Sequence, residues 1–178
     1  RCGNPVMVGL DPRLEQLPTA IRGDVAAADV RKVALTYTNF CREVIDVVAP
    51  LVGVVKPQAA FFEQLGPHGM LALADVIRYA REKELLVVLD GKRNDIGSTA
   101  AAYAQGILGA GDASPWGADA LTVSPYLGDD SLTPFVDVIT NANSDVRRMA
   151  AACPLFCHFR TGGVFDQLRR VHRKMIAA

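Results

Sequence analysis

With 178 residues, half of them hydrophobic and 21% charged, the chain has a globular composition and length for one domain with a substantial core. Its 19 basic and 19 acidic residues cancel to a formal net charge of zero. That balance excludes a general nucleic-acid or anionic-membrane binder, but not a small anionic substrate, which local charge decides.

Strand-like and helix-like segments alternate from the start. Val6 to Leu10 reads as an apolar strand ending at Asp11-Pro12. After a polar loop, Asp29 can cap a helix running to about Val48, with Val33, Tyr37, Phe40, Val44 and Val47 on one face. Pro50 stops it. Leu51 to Val55 reads as a second buried strand, ending at Lys56-Pro57. A loop through Phe61 and Phe62 leads to a helix from about Gly69 to Lys83. Its Met70, Leu73, Ile77 and Ala80 recur at helical spacing toward the sheet, while Asp75, Arg78 and Glu82 face water. The third strand is Leu85 to Asp90, and the next helix runs from about Ser98 to Leu108. The fourth strand, Ala120 to Val123, ends at Ser124-Pro125-Tyr126, and Asp130 or Ser131 then caps a helix through Phe135 and Ile139. A fifth strand, Leu155 to Phe159, ends at Arg160-Thr161.

Repeated strand–helix units build parallel sheets with right-handed crossovers. Polar residues recur at each strand's carboxyl end: Asp11, Lys56, Asp90 with Lys92, Ser124 and Arg160. That recurrence predicts an α/β fold of the (β/α)8 TIM-barrel family with its site at the top face. A full barrel takes roughly 200 residues or more, and after about Thr140 the pattern weakens. The expectation is one barrel domain over residues 1–178, with about five units and the C-terminal ones missing or divergent.

The segment LLVVLDGKRNDIGSTAAAYA, Leu85 to Ala104, is the most informative. An apolar run without polar alternation reads as a strand buried on both faces. It ends in Asp90, Lys92, Arg93 and Asp95. Side chains alternate along a strand, so Asp90 and Lys92 are expected on one side, a carboxylate beside an ammonium where α/β folds place their ligands.

At DGKRNDIGST the pattern Asp90-x-Lys92-x-x-Asp95-Ile96-x-x-Thr99 resembles the signature of the orotidine 5'-phosphate decarboxylase family. GLDPR and VVKPQAAFFE resemble the first two strand ends of its bacterial long-form members, and ADALTVSPYLGDDSL resembles their fourth. The likeness covers about Asn4 to Val138, and LFCHFRT is similar to a further family strand. It implies conversion of orotidine monophosphate to UMP and CO2 with no metal or organic cofactor. It further implies that Asp90 sits against the substrate carboxylate and that Lys92 protonates the carbanion. Lys56 and Asp95 would complete an alternating Lys-Asp-Lys-Asp array, in which neighbouring carboxylates keep each ammonium charged. Asp11 and Lys56 would contact the ribose hydroxyls, with Ser124 near the family's fourth-strand site residues. Asp95, Ile96 and Thr99 would reach a neighbouring subunit's site, which implies a homodimer with shared active sites. The family's phosphate-binding assembly of a Gly-rich loop and an Arg is absent here, and Arg160-Thr161-Gly162-Gly163 lacks the usual Ser-Asn-Pro continuation.

Plainer readings stand beside these. Asp90, Lys92 and Asp95 could form a structural ion-pair network, against which four matching strand ends weigh. Asp11 either starts a turn with Pro12 or contacts ribose, and Ser124 is either a turn hydroxyl or a ligand contact. Lys56 ends a buried strand and needs a partner. His68, His158 and His172 share no metal spacing and read as loop, core-edge and surface residues. Arg169, Arg170, Arg173 and Lys174 read as a solvated helix face. Cys2, Cys41, Cys153 and Cys157 form no CxxC and read as free thiols in a reducing cytoplasm. No apolar run reaches the ~18 residues that span a bilayer, and RCGNPVMVGLDPR lacks a signal-peptide pattern. Two other functions compete with the decarboxylase: a Mg²⁺-dependent sugar-phosphate lyase or decarboxylase of the same superfamily, and a truncated, non-catalytic copy. The first would place a metal-binding carboxylate at the second strand end, where this chain has Lys56. The second finds support in the atypical C-terminus.

Overall fold

Short apolar runs form parallel strands, and helices with one apolar side cover them. The computed structural model describes residues 5–109, 114–141 and 149–152. The chain divides into two units, Arg1–Asp90 and Gly91–Ala178.

The first unit holds β1 (Met7–Leu10), β2 (Val54–Pro57) and the first five residues of β3 (Leu86–Arg93). β1 pairs in parallel with β2, Gly9 opposite Lys56, and β2 with β3, Val54 opposite Leu86. β2 thus starts three residues later than its apolar run and carries Lys56 and Pro57 within it. Leu10, Val55, Val87 and Leu89 are buried under helices, whereas Met7 and Leu86 on the alternate face are exposed. The expectation of strands buried on both faces is therefore corrected for this unit's described residues.

After the short α1 (Thr19–Arg22), Asp29 caps α2 (Val30–Val48) as its sequence position predicts, its carboxylate accepting from the Lys32 N–H at 3.1 Å. That bond holds the Asp29 carboxyl below its ordinary pKa. The buried stripe is Val33, Ala34, Tyr37, Thr38, Cys41 and Ile45. Val47, expected inside, is 68% exposed, and Phe40 and Val44 are only half-buried. Burial pushes the free Cys41 thiol up to about 12. Cys2, Cys153 and Cys157 lie outside the described residues.

The predicted loop through Phe61 and Phe62 is a helix, α3 (Ala59–Glu63), with Phe62 fully buried. α4 (Gly66–Glu82) starts three residues earlier than its apolar spacing suggests, with Pro67 in its first turn. His68 accordingly lies on a helix rather than a loop. Leu73, Val76, Ile77 and Ala80 face the core, and Met70 is half-buried. A Cβ on Gly69 would stand 1.8 Å from the Phe62 carbonyl oxygen, so only glycine lets α3 and α4 pack this closely. Across α2 and α4, Arg42 pairs with Asp75 at 2.5 Å and stacks over Tyr79.

The second unit holds the end of β3, then α5 (Gly97–Leu108), β4 (Ala120–Val123), α6 (Asp129–Asn141) and β5 (Met149–Ala152). β4 is buried along its whole length and pairs in parallel with β5. α5 presents Ala100, Ala104, Ile107 and Leu108 to the interior, and α6 presents Leu132 and Phe135. α6 begins at Asp129, ahead of both expected caps, and the buried Ser131 hydroxyl donates to the Gly128 carbonyl at 2.6 Å. The predicted strand Leu155–Phe159, with Arg160 and Thr161, lies outside the described residues, as do His158 and His172. Among the described residues no helix is long and apolar enough to cross a membrane.

Candidate active site

In the first unit the strand register builds a row of polar groups. Leu10 pairs with Pro57, and Gln58 bridges to Asp90. Carried one residue further, the register sets Asp11 level with Gln58 and Asp90 at the carboxyl ends of three strands. Parity puts Lys56 on the same face, one pleat below. Its four-carbon stem spans that step, and Nζ reaches the Asp90 carboxylate at 2.6 Å. The Lys56 side chain is 22% exposed and that of Asp90 9%. Lys56, which required a partner on sequence grounds, has one. The distance is that of a charge-assisted hydrogen bond, and the low exposure weakens solvent screening of the pair.

Gly9 sits opposite Lys56 and extends no side chain over it. A Cβ there would be 3.5 Å from the Asp11 carboxylate, so Asp11 lies on this face too, exposed to solvent. Nearby in sequence, the Arg13 guanidinium stacks over the Phe61 ring at 4.8 Å. Lys56, Asp90 and Asp11 thus share one surface. Gln58, in the same row, was not singled out from the sequence. The only signal for it was its place two residues after Lys56.

In the second unit, period-two alternation stops at Lys92, whose φ is 45°. The rule of strand alternation needs extended backbone through both residues, so the expectation that Asp90 and Lys92 lie on one side does not follow from alternation alone. A side-chain-bearing residue in this left-handed region costs on the order of 1–3 kcal/mol, and such residues cluster at functional sites. The Lys92 N–H donates to the Thr122 hydroxyl at 2.9 Å, and the Ser124 N–H donates to the Arg93 carbonyl at 2.8 Å. Ser124 is thereby joined to the residue after Lys92. The Asp95 carboxylate accepts from the Ile96 N–H at 2.8 Å, just ahead of Gly97, where a φ of 54° opens α5. Ile96 is 54% exposed, and Thr99 is exposed as well. Arg93 lies over the Tyr103 ring at 5.5 Å. Among the described residues no three His, Cys, Asp or Glu side chains group as metal ligands.

The family described as "Orotidine 5'-phosphate decarboxylase / HUMPS family" matches residues 5–164. A Rhodopirellula baltica protein named orotidine 5'-phosphate decarboxylase is 62% identical over 140 residues, covering 78% of this chain and 46% of its own length. A Nocardioides protein of the same name is 38% identical over 182 aligned positions, covering 94% of this chain and 63% of its own. The solved structure of Leishmania donovani OMP decarboxylase is 37% identical with a TM-score of 0.57, over 74% of this chain and 43% of that one. The chain thus spans only part of these relatives, from 43% to 63% of their length.

Proposed function

The chain belongs to the orotidine 5'-phosphate decarboxylase / HUMPS family, and from that premise we propose that the protein converts orotidine 5'-monophosphate to UMP and CO2 in pyrimidine biosynthesis. The fold is that of the (β/α)8 barrel family to which the similar solved structures belong. In this reading residues 1–178 are part of one such barrel domain, working in the cytoplasm.

The carrying observation is the Lys56–Asp90 pair at 2.6 Å on the carboxyl rim of the strands. The substrate carboxylate lies against Asp90. As CO2 departs, the electron pair of the breaking C–C bond stays on the pyrimidine carbon and takes a proton from the Lys92 ammonium. Fixed charges stabilise that poorly delocalised carbanion, the kind of preorganised electrostatics that dominates many enzymes. Lys56 and Asp95 complete the array. Asp11 and Lys56 contact the ribose hydroxyls, and Ser124 stands near the base. Orotidine monophosphate given to the purified protein should lose CO2 and yield UMP. Failure to turn it over, with turnover of a sugar phosphate instead, would sink the assignment.

The reaction proceeds without a metal. Lys56 supplies the positive charge beside Asp90 at the second strand end, the position a metal-binding carboxylate takes in the Mg²⁺-dependent relatives. Activity should therefore survive exhaustive EDTA treatment. A loss reversed by Mg²⁺ would move the protein to the sugar-phosphate chemistry.

The working enzyme is a homodimer with shared sites, a reading supported by Asp95 and the exposed Ile96 and Thr99 at the start of α5. An inactive Asp95→Ala variant mixed with an inactive Lys92→Ala variant should regain activity, because one site of each heterodimer then has both groups intact. No recovery after demonstrated subunit exchange would mean self-contained sites.

A further inference from the structure

β4 reads Ala-Leu-Thr-Val, and Thr122 is its one polar side chain, buried at 5% exposure. The Lys92 N–H donates to the Thr122 hydroxyl at 2.9 Å, within ordinary hydrogen-bond geometry. That bond falls on the residue with a φ of 45°, a conformation that side-chain-bearing residues hold only when their surroundings impose it. One residue on, the Arg93 carbonyl accepts from the Ser124 N–H at 2.8 Å. Lys92 is thus bracketed by two bonds, its own N–H to Thr122 in β4 and the Arg93 carbonyl to Ser124 just beyond it. The preceding Gly91 lies so close to β4 that a Cβ would stand 3.1 Å from the Leu121 Cδ1 atom.

We infer that Thr122 is a positioning residue: its hydroxyl holds the Lys92 backbone in the left-handed conformation and so aims the lysine side chain. A regular strand would send that side chain in a different direction. The hydroxyl is an acceptor for the Lys92 N–H, and no apolar residue of the same shape can supply one. Thr122 does not act on the substrate. Its purpose rests on the reading of Lys92 as proton donor.

The experiment compares T122V, which keeps the shape and removes the hydroxyl, with T122S, which keeps the hydroxyl. It uses the full protein and reads kcat, KM, melting temperature and hydrogen exchange of the Lys92 amide. A misplaced catalytic group costs on the order of 100-fold in rate, so T122V should lose ~10–100-fold in kcat with KM little changed and faster Lys92 exchange. T122S should restore both. T122A provides the same loss of hydroxyl if T122V folds poorly. An unchanged kcat in T122V, equal losses in T122S and T122V, or unaltered Lys92 exchange would overturn the inference. A parent protein that never turns over orotidine monophosphate, with Lys92 exchange still faster in T122V, would sink the decarboxylase reading and the purpose of Thr122 with it, while leaving the backbone bond established.

Discussion

Lys92→Ala is expected to lower decarboxylation by several orders of magnitude while leaving UMP binding measurable. General acid catalysis alone contributes roughly 100- to 10,000-fold. In the proposed mechanism the same ammonium also stabilises the developing carbanion, so its removal withdraws two contributions at once. The left-handed backbone at this residue allows a sharp control. Lys92→Gly relieves the strain that Lys92→Ala retains, because glycine takes positive φ without steric cost. The glycine variant should be the more stable of the two and equally inactive. Turnover measured beside UMP binding by calorimetry separates the ammonium from the backbone. Near-normal turnover in either variant would remove Lys92 from the mechanism.

Phe62→Ala is expected to destabilise the first unit by about 3–5 kcal/mol, the range for emptying a buried aromatic site. Phe62 is fully buried, meets Tyr37 edge-to-face with ring centroids 6.2 Å apart, and lies where α4 packs closest to α3. Collapse around the cavity is limited, because the Gly69 backbone already touches the Phe62 carbonyl and cannot move much nearer. Phe61→Ala, at a half-buried ring under Arg13, should cost far less. Denaturant unfolding of the two variants checks the contrast. Equal losses, or a Phe62→Ala loss inside the roughly 0.5 kcal/mol scatter of surface substitutions, would show that α3 does not anchor this core.

The features legible in the sequence are those that depend on neighbours along the chain. Asp29 caps α2 because an Asx side chain three residues from an amide needs no distant partner. β4 and α5 fall where apolar runs and Gly97 put them, since local periodicity and one permissive glycine suffice. The segment from Asp90 to Thr99 stood out for a related reason: charges placed directly after an apolar run are conspicuous in one dimension.

Other features needed contacts between residues far apart in the chain. Val47 and Cys41 have similar claims to the interior of α2, and packing decided for Cys41, which is fully buried while Val47 is exposed. Phe61 and Phe62 read alike as loop residues until Gly69, seven positions beyond Phe62, gave α3 something to pack on. The chain by itself determined which groups could do chemistry: Lys56, Asp90, Lys92, Asp95 and the small polar residues at the strand ends. Only the tertiary structure decided that Lys56 meets Asp90, because strand register brings together residues 34 positions apart. Only it decided that Lys92 leaves the extended conformation, because the acceptor that accompanies that turn, Thr122, comes from a strand 30 residues later.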